Sequence, residues 1–469
     1  MHEIIFATAR EQRTAFLKKR ISAQELLNHH LQQIARVNPV VNAIVTLDAE
    51  GALAHAAHID ALHARGVDCG LLAGLPVVHK DLTPAKGLRF TQGSPIFKDQ
   101  IAQEDSLIVS RLKAAGAVTI GKSNVPEFGA GSQTFNPIFG ATRNPYNPNL
   151  TSGGSSGGAA VALATCMVPI ADGSDMGGSL RNPAAFCGVV GFRASPGVVP
   201  SRESWSPLSV DGAMARNVAD MALMLAAIAG HDERATLTAT VDTSALANLQ
   251  PVSLKGKRIA WAPTWGGLPV DQAVSEVIDA QRQRFVDLGA IVEDACPDFS
   301  GADEAFQVLR ALGFETSLGP LLDTHRALLK DTVIWNIEAG RALSGSQIAQ
   351  AQRLQGQIFQ RMLLFMQQYD FVVGPVTQVL PFDVQRPFVT HINDVALPTY
   401  IDWMKSCFYI TVTTHPALSI PCGLSRDGLP VGLQMVGRFR DDVNLLRYAM
   451  AYESTLDASQ FRPNVAQYQ

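Results

Sequence analysis

At 469 residues, with 47% hydrophobic and 17% charged residues, the chain can bury a large core, which excludes a disordered chain of low hydropathy and high charge. A formal net charge of -4 without a long basic run leaves no electrostatic footprint for nucleic acid, and no apolar stretch reaches the roughly 18 residues of a membrane span. The opening segment lacks a basic stretch followed by an apolar one, and six cysteines without a C-x-x-C pair read as reduced thiols, so the expected compartment is the cytoplasm.

Taken in chain order, Ser22-Ala-Gln-Glu25 forms a capping box with Ile21 and Leu26 as its staple. Leu27, Leu31 and Ile34 then share one face, which predicts a helix over 23–37. The Ala-rich stretch 48–65 predicts a second helix. Its His55, His58 and His63 do not share one narrow face, so they read as ordinary helix histidines rather than metal ligands. From Leu71 the texture changes to short apolar runs, 75–78 and 117–120, alternating with Gly/Ser/Pro-rich loops, as buried strands joined by functional loops do. Residues 257–262, 271–288 and 290–293 read as strand, helix and strand. A long helix over 346–369 leads into the strand 371–374, and 430–436 is a late strand. Residues 236–250, the least patterned, read as a surface connection. Alternating helices and strands predict an α/β fold.

Three Gly/Ser motifs stand out. Gly116-Ala-Val-Thr-Ile-Gly121-Lys122-Ser123 matches G-x-x-x-x-G-K-S, the phosphate-cradling loop, but its interior is β-branched and Pro126 follows closely, against a flexible loop that opens a helix. Gly153-Gly-Ser155-Ser156-Gly157-Gly158 contains G-x-S-x-G. A nucleophile elbow needs a strand just before it, whereas Asn144-Pro-Tyr-Asn-Pro-Asn149 is a turn-rich approach. A flexible linker also fits badly, because Ala159-Ala-Val-Ala-Leu-Ala164 continues as a buried helix. Asp175-Met-Gly-Gly-Ser179-Leu-Arg181 places two glycines before a serine, so the N–H groups of Met176, Gly177, Gly178 and Ser179 could converge on one oxygen, as an oxyanion hole requires.

Read together, Gly74-Leu-Pro-Val-Val-His-Lys80-Asp81, Gly121-Lys-Ser-Asn-Val-Pro-Glu-Phe128, Phe139-Gly-Ala-Thr-Arg-Asn-Pro145, Thr151-Ser-Gly-Gly-Ser155-Ser156-Gly-Gly158, Asp175-Met-Gly-Gly-Ser179-Leu-Arg-Asn-Pro183 and Gly191-Phe-Arg193 resemble the amidase signature family. Gly428-Leu-Pro-Val-Gly-Leu-Gln434 also resembles it. The resemblance implies one amidase domain over 1–469 with a large central mixed β-sheet flanked by helices. An N-terminal helical segment would occupy 1–65, the motif block 70–215, and a variable substrate-pocket region 300–407. It further implies a Ser-Ser-Lys triad with Lys80 as base, Ser155 as relay serine after a cis peptide bond, and Ser179 as nucleophile. An oxyanion hole at 176–179, a substrate contact near Gly129 and supporting roles for Ser156, Asp175 and Arg181 come with it. His79 departs from the pattern, where an apolar residue is usual, and strand alternation turns it from the Lys80 side, so it reads as packing.

These residue types suit amide cleavage. A serine hydroxyl needs a proton acceptor, and lysine accepts only as a neutral amine, which the apolar run 75–78 favours by burial. Alternation sends Asp81 to the opposite face, away from Lys80. Ser155 can donate and accept, so it can pass the proton both ways. The expected reaction is hydrolysis of a small-molecule amide through a Ser179 acyl-enzyme, with no metal and no organic cofactor, no nucleic acid or membrane partner, and a homodimer left open. The amidase subunit of a glutamine-dependent amidotransferase, which uses the same triad, is the alternative; a binding protein with a dead site is disfavoured by the intact triad. Phe306, Phe314, Trp335, Tyr400 and Trp403 are the expected pocket walls.

Overall fold

The computed structural model describes residues 3–201 and 205–468. Eleven strands form one mixed sheet: β1 (Ile44–Leu47), β2 (Pro76–Lys80), β3 (Val118–Ser123), β4 (Ile170–Asp175), β5 (Val190–Arg193), β6 (Val210–Ala215), β7 (Arg258–Trp261), β8 (Ile291–Asp294), β9 (Phe371–Pro375), β10 (Ala417–Leu424) and β11 (Pro430–Gly437). Their order is β1-β3-β2-β4-β6-β5-β10-β11-β9-β7-β8. β2 runs parallel to β3 and β4, and β7 runs parallel to β8 and β9, while every pairing between β4 and β9 is antiparallel.

Alternation along the strands divides the core. Val77, Ile170, Ala213, Phe371 and Met435 face one side, where helices Val218–Ile228 and Asp442–Glu453 cover them. Val78, Ala171 and Met214 face the other side, under helices Ala23–Val41 and Gly157–Ala164. Farther along that side Val372 and Val436 meet an aromatic cluster carried by helices Ala302–His325, Gly345–Phe365 and Lys405–Thr413. A sheet covered on both faces explains why its strands read as continuous apolar runs.

The capping box at Ser22 forms as the sequence predicts, and its helix continues past residue 37 to Val41, where Asn42 closes it in the left-handed conformation. The predicted helix 271–288 is instead two, Gln272–Asp279 and Arg282–Asp287. The stretch 236–250 is not a bare connection: Asp242 caps helix Thr243–Ala247, and Leu246 and Leu249 are buried. The apparent phosphate loop is mostly β3 itself, with Lys122 buried and its ammonium on the Thr83 carbonyl beside Asp81. Helix Gly157–Ala164 lies so close to its neighbours that a β-carbon at Gly158 would collide with the Asn124 backbone, which requires glycine there. No helix is long and apolar enough to cross a membrane among the described residues.

Candidate active site

Because β2 and β4 are parallel neighbours, their C-terminal ends open on the same edge, and Lys80 and Asp175 emerge there together. Lys80 is fully buried. Its Nζ donates to Ser155 Oγ at 2.7 Å and to Ser174 Oγ at 3.0 Å. Burial pulls the ammonium down to about 7, against the carboxylates of Asp211, Asp175 and Asp172, which pull it back up. Asp81 lies on the far face, as alternation predicts: Oδ2 accepts the Thr91 hydroxyl at 2.5 Å and Oδ1 is 3.9 Å from Lys122 Nζ.

Ser155 is buried and follows a cis peptide bond at Gly154–Ser155. The next residue ties the loops together: the Ser156 amide donates to the Ser179 carbonyl at 3.2 Å, and its hydroxyl accepts the Ser174 N–H at 3.4 Å. Gly129, at φ +70°, arches over Ser155, and a β-carbon there would lie 3.4 Å from Ser155 Oγ and 2.9 Å from Leu82. Ser179 is half-buried, and its hydroxyl has no hydrogen-bond partner among the described residues. With Ser155, Ser174, Met176, Gly177 and Gly129 it lines a cavity of about 130 Å³.

The loop between β4 and helix Arg181–Cys187 is held from beneath by Asp175. Its carboxylate accepts the Gly178 N–H at 2.9 Å and the Leu180 N–H at 3.2 Å. Arg181 grips the same carboxylate with two N–H groups, both at 2.9 Å, and Arg193 Nη1 lies 3.6 Å away. Two buried guanidinium groups and these amides hold Asp175 well below the usual carboxylate range despite its burial. Of the four amides expected to form the hole, the one at Gly178 is bonded to Asp175 in this structure. The N–H groups of Met176, Gly177 and Ser179 carry no bond among the described residues. Gly178 has its own reason to be glycine: a β-carbon there would lie 2.7 Å from that of Cys407.

His79 is more than packing. Its Nδ1 lies 2.6 Å from Asp172 Oδ2 and its Nε2 2.9 Å from Thr119 Oγ1, while Asp172 Oδ1 accepts the Lys80 amide at 2.6 Å. Of the expected pocket walls, Phe306 and Phe314 line the cavity. Trp403 instead stacks on Phe186 at 6.0 Å, and Trp335 meets Tyr400 edge-on at the surface, so neither walls the site. Sequence reasoning missed Ser174, Asp172 and Arg310. The first two were available from strand alternation before Asp175, and Arg310 from its i+4 spacing after Phe306. No group of three or more His, Cys, Asp or Glu side chains suited to a metal occurs among the described residues.

The chain matches the family model described as Amidase over residues 25–446. It belongs to the amidase signature family. This amidase is 32% identical to an acylamidase of Rhodococcus erythropolis over 457 residues, 95% of each chain. A glutamyl-tRNA(Gln) amidotransferase subunit of Thermosynechococcus vestitus is 32% identical over 483 residues, 96% of this chain and 98% of the other. Among solved structures, a bacterial aryl acylamidase of the amidase signature enzymes superposes with a TM-score of 0.90 at 28% identity, covering 97% of both chains. As an amidase signature enzyme the chain is an amide hydrolase, and equal identity to the two relatives leaves the specific substrate to the pocket.

Proposed function

We propose that this amidase cleaves linear carboxylic amides to acid and amine through a Ser179 acyl-enzyme, with Ser155 as relay and Lys80 as base. The observation that carries the reading is the 2.7 Å contact between the fully buried Lys80 amine and Ser155 Oγ. In the neutral form, Lys80 accepts the Ser155 proton while Ser155 accepts that of Ser179, and Ser179 Oγ bonds to the carbonyl carbon. The oxyanion rests on the unoccupied N–H groups of Gly177 and Ser179, with Met176 beside them. Collapse breaks the C–N bond as the proton returns through Ser155 to the departing nitrogen. Water, deprotonated along the same relay, then releases the acid. Gly129 contacts the substrate over Ser155, and Ser156, Asp175 and Arg181 keep the two serine loops in register. The reaction uses no cofactor, and the working compartment is the cytoplasm.

The alternative reading, a component of an amidotransferase, is favoured by the relative from Thermosynechococcus vestitus, and purification of the chain alone separates the two: a lone enzyme that turns over simple amides is the hydrolase. A fluorophosphonate should label Ser179 by peptide mapping. Ser179→Ala should remove labelling and turnover, and Ser155→Ala should lower turnover less completely, because a water partly replaces the relay. Label found only on a cysteine would refute the nucleophile.

A further inference from the structure

We propose, building on that hydrolase reading, that Arg310 anchors a carboxylate carried by the amide substrate. Arg310 is only 6% exposed, yet it lines the cavity that holds Ser155, Gly177 and Ser179. A guanidinium is charged at every accessible pH, and a buried one is ordinarily matched by a carboxylate. Arg181 is matched in this way by Asp175. Arg310 is not. Its terminal nitrogens donate to the neutral Asn336 Oδ1 and Tyr400 hydroxyl, and it stacks over Phe314 with 4.7 Å to the ring centroid. Among the described residues no carboxylate lies within ion-pair distance of it. Two of five N–H donors are used, so a planar two-oxygen acceptor can still be gripped in a fork.

The helix that carries Arg310 gives the anchor its distance from the chemistry. Phe306, Arg310 and Phe314 follow one another at four-residue spacing on one face of helix Ala302–His325. Phe306 reaches the oxyanion loop, where a β-carbon at Gly177 would lie 3.3 Å from its ring. Arg310 lies one turn further along, roughly 6 Å down the helix axis. A substrate with its carbonyl at Ser179 can lay an apolar stem on Phe306 and present a carboxylate to Arg310.

The other lining residues define what the substrate lacks. Leu82, Phe128, Gly131, Ser132, Ser209 and Met404 also line the cavity, and among the described residues no acid does. A second cation, the half-buried Lys330, stands behind Gly131 with its Nζ over the Phe135 ring at 4.3 Å and Glu127 as its nearby carboxylate. A carboxylate is therefore welcome and an ammonium is not, which selects an amide with a remote carboxylate over the amide of an α-amino acid such as glutamine.

The test compares kcat/KM for succinamate, glutaramate and adipamate with butanamide, pentanamide and hexanamide, and adds glutamine. In the parent enzyme the best carboxylate-bearing amide should exceed its neutral match by about tenfold or more. Glutamine should trail glutaramate. Arg310→Met should erase the advantage, and Arg310→Lys should keep part of it. Should Arg310→Met fail to fold, protection of Ser179 from the fluorophosphonate in the parent enzyme reads the same preference, with glutaramate protecting at lower concentration than pentanamide. Alkanamides turned over as well as the carboxylates, or glutamine ahead of glutaramate, would overturn the anchor and leave amide hydrolysis standing. No turnover of any amide together with no labelling of Ser179 would instead remove the hydrolase reading on which the anchor rests.

Discussion

The sharpest consequence of the site is a pH profile controlled by Lys80. An ordinary lysine titrates near 10.4, so at pH 7 only about one amine in a few thousand is neutral. Burial brings Lys80 to about 7, where about half is neutral, a population gain on the order of a thousandfold. Acylation by the parent enzyme should therefore climb along a single limb: about 1% of its plateau at pH 5, about half at pH 7, and level by pH 9. Lys80→Arg should abolish the limb with nearly all of the rate, because guanidinium keeps its proton. The sign for stability is worked the same way. The folded pKa lies below the unfolded one, so between about 7 and 10.4 the unfolded chain binds the proton more tightly, and the fold gains stability as pH rises through that window. Lys80→Met should thus be more stable than the parent below pH 7, by a few kcal/mol at most since hydrogen bonds to Ser155 and Ser174 are lost, with the gap closing toward pH 10. Stopped-flow acylation and urea unfolding of the three proteins across pH measure both effects. A flat profile from pH 5 to 9, or an arginine variant with the parent's profile, refutes Lys80 as the base.

Two further perturbations probe the groups around it. Asp175→Asn leaves the buried Arg181 and Arg193 facing a neutral amide, which should cost about 3–5 kcal/mol in urea unfolding and abolish Ser179 labelling even where the fold survives; an unchanged unfolding midpoint would show the network to be dispensable. His79→Leu strands Asp172 Oδ2 without its 2.6 Å partner, at a cost of about 1–3 kcal/mol. It should also move the activity limb to higher pH, because an Asp172 carboxylate without its ring hydrogen bond acts more strongly on the Lys80 ammonium; an unmoved limb with parental stability would return His79 to a packing role.

Much of this was legible in the chain because the decisive signals are local. The capping box at Ser22, the doubly buried strand ending at Lys80, and the glycines before Ser179 each state their conformation within a few residues. What was not legible depends on partners distant in sequence. Strand alternation sends His79 away from the Lys80 side chain correctly, but only the pairing of β2 with β4 brings Asp172 to receive both its ring and the Lys80 amide. Consecutive glycines promise a row of amides, yet whether each stays open depends on a carboxylate beneath the loop, and Asp175 takes the one at Gly178. The aromatic residues of 300–407 were credited as pocket walls by type, whereas facing direction decides: Phe306 turns inward and Trp403 turns onto Phe186.

The two tertiary networks also bear on a question that the proposed triad leaves open, namely how Lys80 could serve as a neutral base with three carboxylates around it. Asp211, Asp175 and Asp172 all pull the Lys80 proton inward, and unopposed at this depth their fields would offset much of the burial effect. Asp175 is clasped by Arg181 with Arg193 beside it, and Asp172 is bonded to the His79 ring and the Lys80 amide. Each clasp damps a field that would otherwise fix the ammonium. Asp175 and Arg181 thus have two parts at once: they hold the loop that carries Ser179, and they temper a carboxylate that acts on Lys80. On this account, damage to either carboxylate's partner should appear in the pH limb even when Lys80, Ser155 and Ser179 are untouched.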